Sequence, residues 1–260
     1  MEYETIEMLY DDGIAFLYLN RPEVLNALNE KMKVELMHAL HETEKDDRVR
    51  VLVLSGRGRG FSSGADLKVF LEAQESEHER RSRFASVDFP RAFVQYPKPI
   101  IAAVNGPAYG FGLTITLICD IRLASDMAKF SGAFVGLGLT PELCSSYFLP
   151  RLIGYGKAAE LIFTARPFDA AEALELGIVN RVVPHDQLMA QARELGERIA
   201  SMPPGAVKDA KQLLRHGMHS TLEQVIQNEA MIFVSRMESE EHRSALERLL
   251  TQMKSKEAKT

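Results

Sequence analysis

The chain has 260 residues, 46% of them hydrophobic and 26% charged, with 17 Gly, 11 Pro and two Cys. That balance is close to an ordinary globular domain and excludes a disordered chain, a collagen-like repeat and a disulfide-stapled scaffold. Thirty-one basic against 36 acidic side chains leave a net charge of −5, which argues against a dedicated nucleic-acid surface.

A chain of this length buries roughly 70–75% of its unfolded surface, enough for one large core with an appendage. No stretch approaches the roughly 18 apolar residues of a membrane span. The first five residues carry two acids and no apolar run, unlike a targeting leader. Cys119 and Cys144 stand in no metal-ligand spacing and suit a reducing compartment. The expectation is a soluble, cytoplasmic protein with no membrane partner.

Four β-type runs mark the first half: Ile14–Leu19, Arg50–Leu54, Pro99–Val104 and Cys119–Ala124, each closed by Asn, Gly or Ser-Asp. Between the first two, Met32, Val34, Leu36, Met37 and Leu40 predict a helix from Asn29 to about Glu44. A Gly-rich loop follows the second run, then a polar, charge-dense helix ending near Arg83. Gly110-Phe-Gly112 follows the third and opens an apolar helix to about Ile118. Strand, turn, helix and returning strand predict an α/β fold with a mostly parallel sheet.

Beyond Pro141 the pattern is helical except for a short strand, Gly177–Val183. Asp169-Ala-Ala-Glu172 predicts a capping box for a helix that stops at Gly177. From Met202 come three amphipathic stretches, Ala206–His216, Thr221–Met237 and Glu240–Met253. The Pro203-Pro204-Gly205 hinge suggests a boundary between 1–201 and 202–260. Met231, Ile232 and Phe233 would pack on that region's own core or on a neighbouring subunit.

Two glycine segments invite chemistry. Ser55-Gly-Arg-Gly-Arg-Gly-Phe-Ser-Ser-Gly-Ala-Asp66 fits a backbone cradle for an anion, an isolated Arg-Gly tract, or a surface turn. Neither a Walker lysine nor a dinucleotide fingerprint is in register. In Ala103-Val-Asn-Gly-Pro-Ala-Tyr-Gly110-Phe111-Gly112, glycines bracket a helix start whose N–H groups lack intrahelical acceptors.

Taken in order, Asn20-Arg-Pro-Glu-Val-Leu-Asn-Ala-Leu-Asn29, Phe61-Ser-Ser-Gly-Ala-Asp-Leu67, the Asn105-Gly106 segment with its Gly-Phe-Gly, Arg122-Leu-Ala-Ser-Asp126 and Gly177-Ile-Val-Asn-Arg-Val-Val183 resemble the crotonase (enoyl-CoA hydratase/isomerase) superfamily over most of the chain. The resemblance implies a spiral of ββα units with a C-terminal helical region, and assembly as a homotrimer or hexamer. It implies an acyl-CoA thioester substrate in fatty acid metabolism, with CoA as part of the substrate and no separate cofactor. It gives the N–H groups of Ala65 and Phe111 the role of an oxyanion hole around the thioester carbonyl. Val24, Leu25, Ala27, Ser63, Gly64, Asp66, Leu67, Lys68 and Gly110 match substrate- and CoA-contacting positions.

Departures from the family pattern narrow the chemistry. Where a typical hydratase of the family carries two glutamates, this sequence has Thr114 and Phe134, neither of which serves as a general base near neutral pH. Leu137 to Pro150 resembles the peroxisomal-type Δ3,Δ2-enoyl-CoA isomerases, in which an acid at the Glu142 position is the base. By that resemblance Glu142, with Thr140 as N-cap and Pro141 at the first helical position, would move a proton from C2 to C4 of a 3-enoyl-CoA. An acid complementing a helix dipole is the competing reading. The alternatives are an atypical hydratase or other crotonase activity, and a non-catalytic acyl-CoA-binding protein. His38 with His41 and His216 with His219 lack a third ligand, so no metal site is expected. Asp120 is assigned a structural role.

Overall fold

The structure is a computed structural model that describes residues 1–66 and 87–257. The polar helix expected to end near Arg83 therefore lies outside the described residues, as do Leu67 and Lys68. Contacts divide the chain into two compact units, Met1–Glu197 and Arg198–Thr260.

In the first unit, β1 (Ile6–Asp11) and β2 (Ile14–Leu19) form an antiparallel hairpin. Its turn is Asp12-Gly13, with φ of 42° and 83°, the left-handed pair that a two-residue hairpin requires. β3 (Val51–Gly56), β4 (Ile100–Val104), β6 (Ile121–Ser125) and β9 (Arg181–Val183) extend the sheet in parallel, in the order β1-β2-β3-β4-β6-β9. β3 and β4 are buried along their whole length, which explains the unbroken apolar runs Val51–Leu54 and Ile100–Val104. A second sheet joins β5 (Ala108–Tyr109), β7 (Lys129–Ser131) and β8 (Phe168–Asp169).

Crossover helices cover the sheets. α1 (Glu30–Lys45) starts at Asn29, whose side chain accepts from the Met32 N–H at 2.8 Å. It buries Met32, Leu36, Ala39 and Leu40, whereas Val34 faces solvent. Glu35 on the same helix accepts hydrogen bonds from the Glu4, Thr5 and Ile6 N–H groups and the Thr5 hydroxyl, tying down the N-terminal segment. α2 (Asp88–Gln95) contributes Phe89 and Phe93 to the core, and α3 (Phe111–Ile118) is buried on every side. That burial matches a sequence apolar but for Thr114 and Thr116, whose hydroxyls are hydrogen-bonded.

α4 (Ser145–Ile153), α5 (Tyr155–Thr164), α6 (Ala170–Glu175) and α7 (Leu188–Ala200) follow. α4 does not begin where expected. Thr140 is not its N-cap and Pro141 is not its first residue, because Leu143 and Cys144 take left-handed φ of 49° and 59° and break the helical path. Glu142 is therefore on the loop before the helix, and its carbonyl accepts from the Ser145 N–H and hydroxyl at 3.0 and 2.7 Å. At α6 only half of the capping box forms. Asp169 accepts from the Glu172 N–H at 2.9 Å, but the Glu172 carboxylate pairs with Arg166 instead of reaching back.

The second unit contains α8 (Pro204–Gly217), α9 (Leu222–Met237) and α10 (Glu240–Glu257). α9 has the complete capping box, Thr221 with Gln224. Met231 and Phe233 are exposed on it. No described helix is long and apolar enough to cross a membrane.

Candidate active site

Three chain segments lie side by side beyond the ends of β2, β3 and β4. Two asparagines hold them. Asn26, fully buried, accepts from the Arg21 N–H at 2.8 Å and donates to the carbonyls of Arg57 and Gly60, each at 2.9 Å. Asn105 accepts from the Gly56 N–H at 3.2 Å and donates to the Gly58 carbonyl at 3.0 Å. The carbonyls of the Gly-rich loop are thus committed to structure. Its Arg57 pairs with Glu7 and lies 3.6 Å from the centre of the Tyr18 ring, so that arginine also serves the hairpin.

The loop then runs along both neighbours. Ser63 donates its N–H to the Leu25 carbonyl and its hydroxyl to the Val24 carbonyl, at 2.8 and 3.1 Å. Ala65 bridges Leu28 in parallel, and Ser62 bridges Ala108. The Asp66 carboxylate is 3.0 Å from Arg21 Nη1, which also donates to the Ala27 carbonyl at 2.7 Å. Val24, Leu25, Ala27, Ser63, Gly64 and Asp66 therefore share one wall.

Close backbone approach sets the geometry of that wall. Gly64 has φ 110°, and a Cβ there would stand 3.3 Å from the Tyr109 carbonyl oxygen and 4.0 Å from Gly110 Cα. A Cβ on Gly112 would meet the Ser62 carbonyl oxygen at 2.5 Å. Only glycine lets the two loops come this near. The outcome is that Ala65 follows one glycine and Phe111 follows another, on loops in contact. Among the described residues neither the Ala65 nor the Phe111 N–H has an acceptor. Phe111 opens α3, where an N–H without an intrahelical partner is the rule.

Glu142 comes to the same place by another route. Thr114, one turn into α3 and fully buried, donates its hydroxyl to Glu142 Oε1 at 2.8 Å. Phe134 is buried, with Cε1 3.9 Å from where a Cβ on Gly110 would stand. The two positions at which a hydratase glutamate was missed thus lie beside the donor loops, one of them gripping the acid supplied from elsewhere. Glu142 is exposed as a whole residue, yet neighbouring protein atoms crowd its carboxyl enough to desolvate it. Burial pushes the carboxyl above its ordinary range, and the opposing pull of the Thr114 hydroxyl and the Lys33 charge does not cancel it. Glu142 lies on a loop and not in the first turn of a helix, where the dipole would lower its pKa.

Two consecutive left-handed non-glycine residues hold the Glu142 loop, a conformation costing roughly 1–2 kcal/mol each that persists only when surrounding packing fixes it. Leu143 supplies such packing, being buried in the core. Cys144 is half-buried, and its thiol is pushed up by burial and by Glu142, which makes it a poor nucleophile.

Residues not singled out from sequence complete the frame: Arg21, Asn26 and Asn105. Asn26 carried a readable signal, since Asn tolerates the left-handed backbone (φ 56°) better than most residues. Asp120 is structural, accepting from the Ile100 N–H at 2.8 Å. His38 binds the Tyr3 hydroxyl at 2.9 Å, and no cluster of three metal-ligating side chains occurs among the described residues.

Fold and comparison together define an α/β enzyme of the crotonase type, with repeating ββα units and C-terminal helices. The crystal structure of an enoyl-CoA hydratase from Bacillus anthracis superimposes with a TM-score of 0.91 at 32% identity, covering 96% of this chain and 97% of that one. The sequence profile described as enoyl-CoA hydratase/isomerase matches residues 10–256, and the chain belongs to that family. It is 37% identical over 247 residues to a short-chain-enoyl-CoA hydratase of Clostridium acetobutylicum, covering 95% of this chain and 94% of the relative. It is 34% identical over 252 residues to enoyl-CoA delta isomerase 2 of Homo sapiens, covering 96% of this chain and 64% of that protein.

Proposed function

We propose that the protein moves the double bond of a 3-enoyl-CoA to the 2-position. The observation that carries this reading is a single raised carboxyl, Glu142, tethered by Thr114 one helical turn from the free Phe111 N–H.

The thioester carbonyl takes up hydrogen bonds from the Ala65 and Phe111 N–H groups. Glu142 removes the C2 proton, and charge moves onto the carbonyl oxygen of a dienolate. The two donors stabilise that charge more than the neutral carbonyl; one such donor is typically worth about 3 kcal/mol. Glu142 then delivers the proton to C4. One base suffices, because both transfers take place on one face and no water is added. Burial suits the carboxyl to the task, since a base with a raised pKa takes a carbon-bound proton more readily. Val24, Leu25, Ala27, Ser63, Gly64, Asp66, Leu67, Lys68 and Gly110 contact the acyl-CoA in this reading, and Phe134 closes the acyl pocket in place of a second acid. The exposed Met231 and Phe233 of α9 suit assembly into a homotrimer or hexamer.

The hydratase named among the relatives is the competing activity. Purified protein given a 3-enoyl-CoA should gain the absorbance of the conjugated thioester, and given a 2-enoyl-CoA should lose little of it. Rapid loss from the 2-enoyl-CoA with no gain from the 3-enoyl-CoA would overturn the isomerase reading in favour of hydration. Tight CoA-ester binding with no turnover of either would leave a binding protein.

A further inference from the structure

A second role for α3 rests on the isomerase reading. The Thr114 hydroxyl has two acceptors in reach, Glu142 Oε1 at 2.8 Å and the Phe111 carbonyl at 3.2 Å. A hydroxyl owns one proton, and an ionised carboxylate outcompetes a neutral carbonyl for it. Among the described residues the other carboxyl oxygen, Oε2, has no hydrogen-bond partner. The Thr114 N–H is itself committed to the Gly110 carbonyl at 3.0 Å, so the hydroxyl is fixed by the same turn that presents the Phe111 N–H.

We propose that Thr114 is a positioning residue for Glu142, clamping Oε1 so that Oε2 alone takes the proton from C2 and returns it to C4. In the first transfer the C2–H bond breaks, an O–H bond forms at Oε2, and the C–H electron pair passes into the dienolate. In the second the Oε2–H bond breaks, a C4–H bond forms from dienolate electrons, and the double bond rests between C2 and C3. No second base or water takes part. Once Oε2 carries the proton, Oε1 is a weaker acceptor and the Phe111 carbonyl competes with it more evenly. The clamp therefore grips the ionised base more firmly than the neutral acid. Lys33 of α1 acts in the same sense through its charge, and the Cys144 thiol is the other titratable group beside the carboxyl.

Thr114→Val removes the hydroxyl at nearly constant shape, Thr114→Ala removes it without an added branch, and Thr114→Ser keeps it. Loss of a hydrogen bond to a charged group should lower kcat roughly ten- to a hundredfold in the first two variants, with KM within about threefold, and Thr114→Ser should restore most of the loss. In ligand-free protein carrying ¹³C-labelled glutamate carboxyls, the resonance lost in Glu142→Gln should titrate at higher pH in Thr114→Val and Thr114→Ala than in the parent, and near the parental pH in Thr114→Ser. An unchanged titration without the hydroxyl, or a kcat loss that serine does not restore, would overturn the clamp. A shifted titration in a parent that turns over no 3-enoyl-CoA would leave the clamp standing and overturn the isomerase reading instead.

Discussion

The two sides of the site are built by different means. The donor side is main chain throughout, with Ala65 and Phe111 N–H groups set on loops that glycines bring together and that Asn26, Asn105, Ser62 and Ser63 fasten by hydrogen bonds. The base side is one carboxyl on a strained loop, held by one hydroxyl. In the proposed mechanism, substituting a donor residue leaves its N–H in place, whereas substituting Glu142 removes the base. One frame can thus hold a thioester oxygen in the same way while the reacting group opposite changes.

The sharpest way to separate the two sides is Glu142→Gln. Removing a general base should lower kcat roughly 10²–10⁴-fold while CoA-ester affinity holds. Stability supplies the control. A carboxyl whose pKa is raised on folding contributes stability that is complete below its unfolded pKa and is lost as pH rises through the folded value. Once pH has passed that folded value the contribution is gone, and there the variant should melt no lower than the parent. A fall in Tm together with activity would point to a structural role instead.

The donor side breaks differently. Gly112→Ala drives a Cβ into the Ser62 carbonyl and parts the loops, so kcat/KM should fall roughly 10²–10³-fold, the cost of a lost oxyanion donor. Phe111→Leu alters a buried side chain but keeps the N–H, and its kcat should stay within about tenfold of the parent, well short of a lost donor. Equal losses in these two variants would contradict a main-chain role.

A smaller effect concerns pH. In the proposed mechanism Glu142 must be ionised to act, and desolvation of its carboxyl raises its pKa, so kcat should rise with pH through a limb above the ordinary carboxylate value of about 4.3. A kcat–pH profile flat down to that value would contradict a base of raised pKa. The smallest change expected is Asp66→Asn, which weakens the pair with Arg21 and should lower stability by about 1 kcal/mol in urea unfolding, with any effect on turnover falling on KM, as a CoA contact would, and not on kcat.

Sequence carried the larger elements because their signals are local. Asn29 before an apolar period predicts α1 to within a residue of its start, and the unbroken apolar runs at β3 and β4 match strands buried along their length. β1 escaped because Glu7 and Asp11 interrupt its apolar character at an exposed edge, although Asp12-Gly13 is a hairpin signal in plain view. β5, β7 and β8, with two or three residues each, are too short to show a period. In the proposed site, Ala65 and Phe111 are named only through resemblance, since a main-chain donor leaves no mark on its own side chain. The start of α4 was misplaced because left-handed Leu143 and Cys144 defy local propensity, and tertiary packing holds them there.

A crystal structure with a non-reacting 3-enoyl-CoA analogue tests the central claim most directly. The thioester oxygen should lie about 2.7–3.1 Å from both the Ala65 and Phe111 nitrogens, with Glu142 Oε2 roughly 3–3.5 Å from C2 and within reach of C4 on the same face. A thioester oxygen bound away from those nitrogens, or a Glu142 carboxyl turned from the acyl chain, would contradict it.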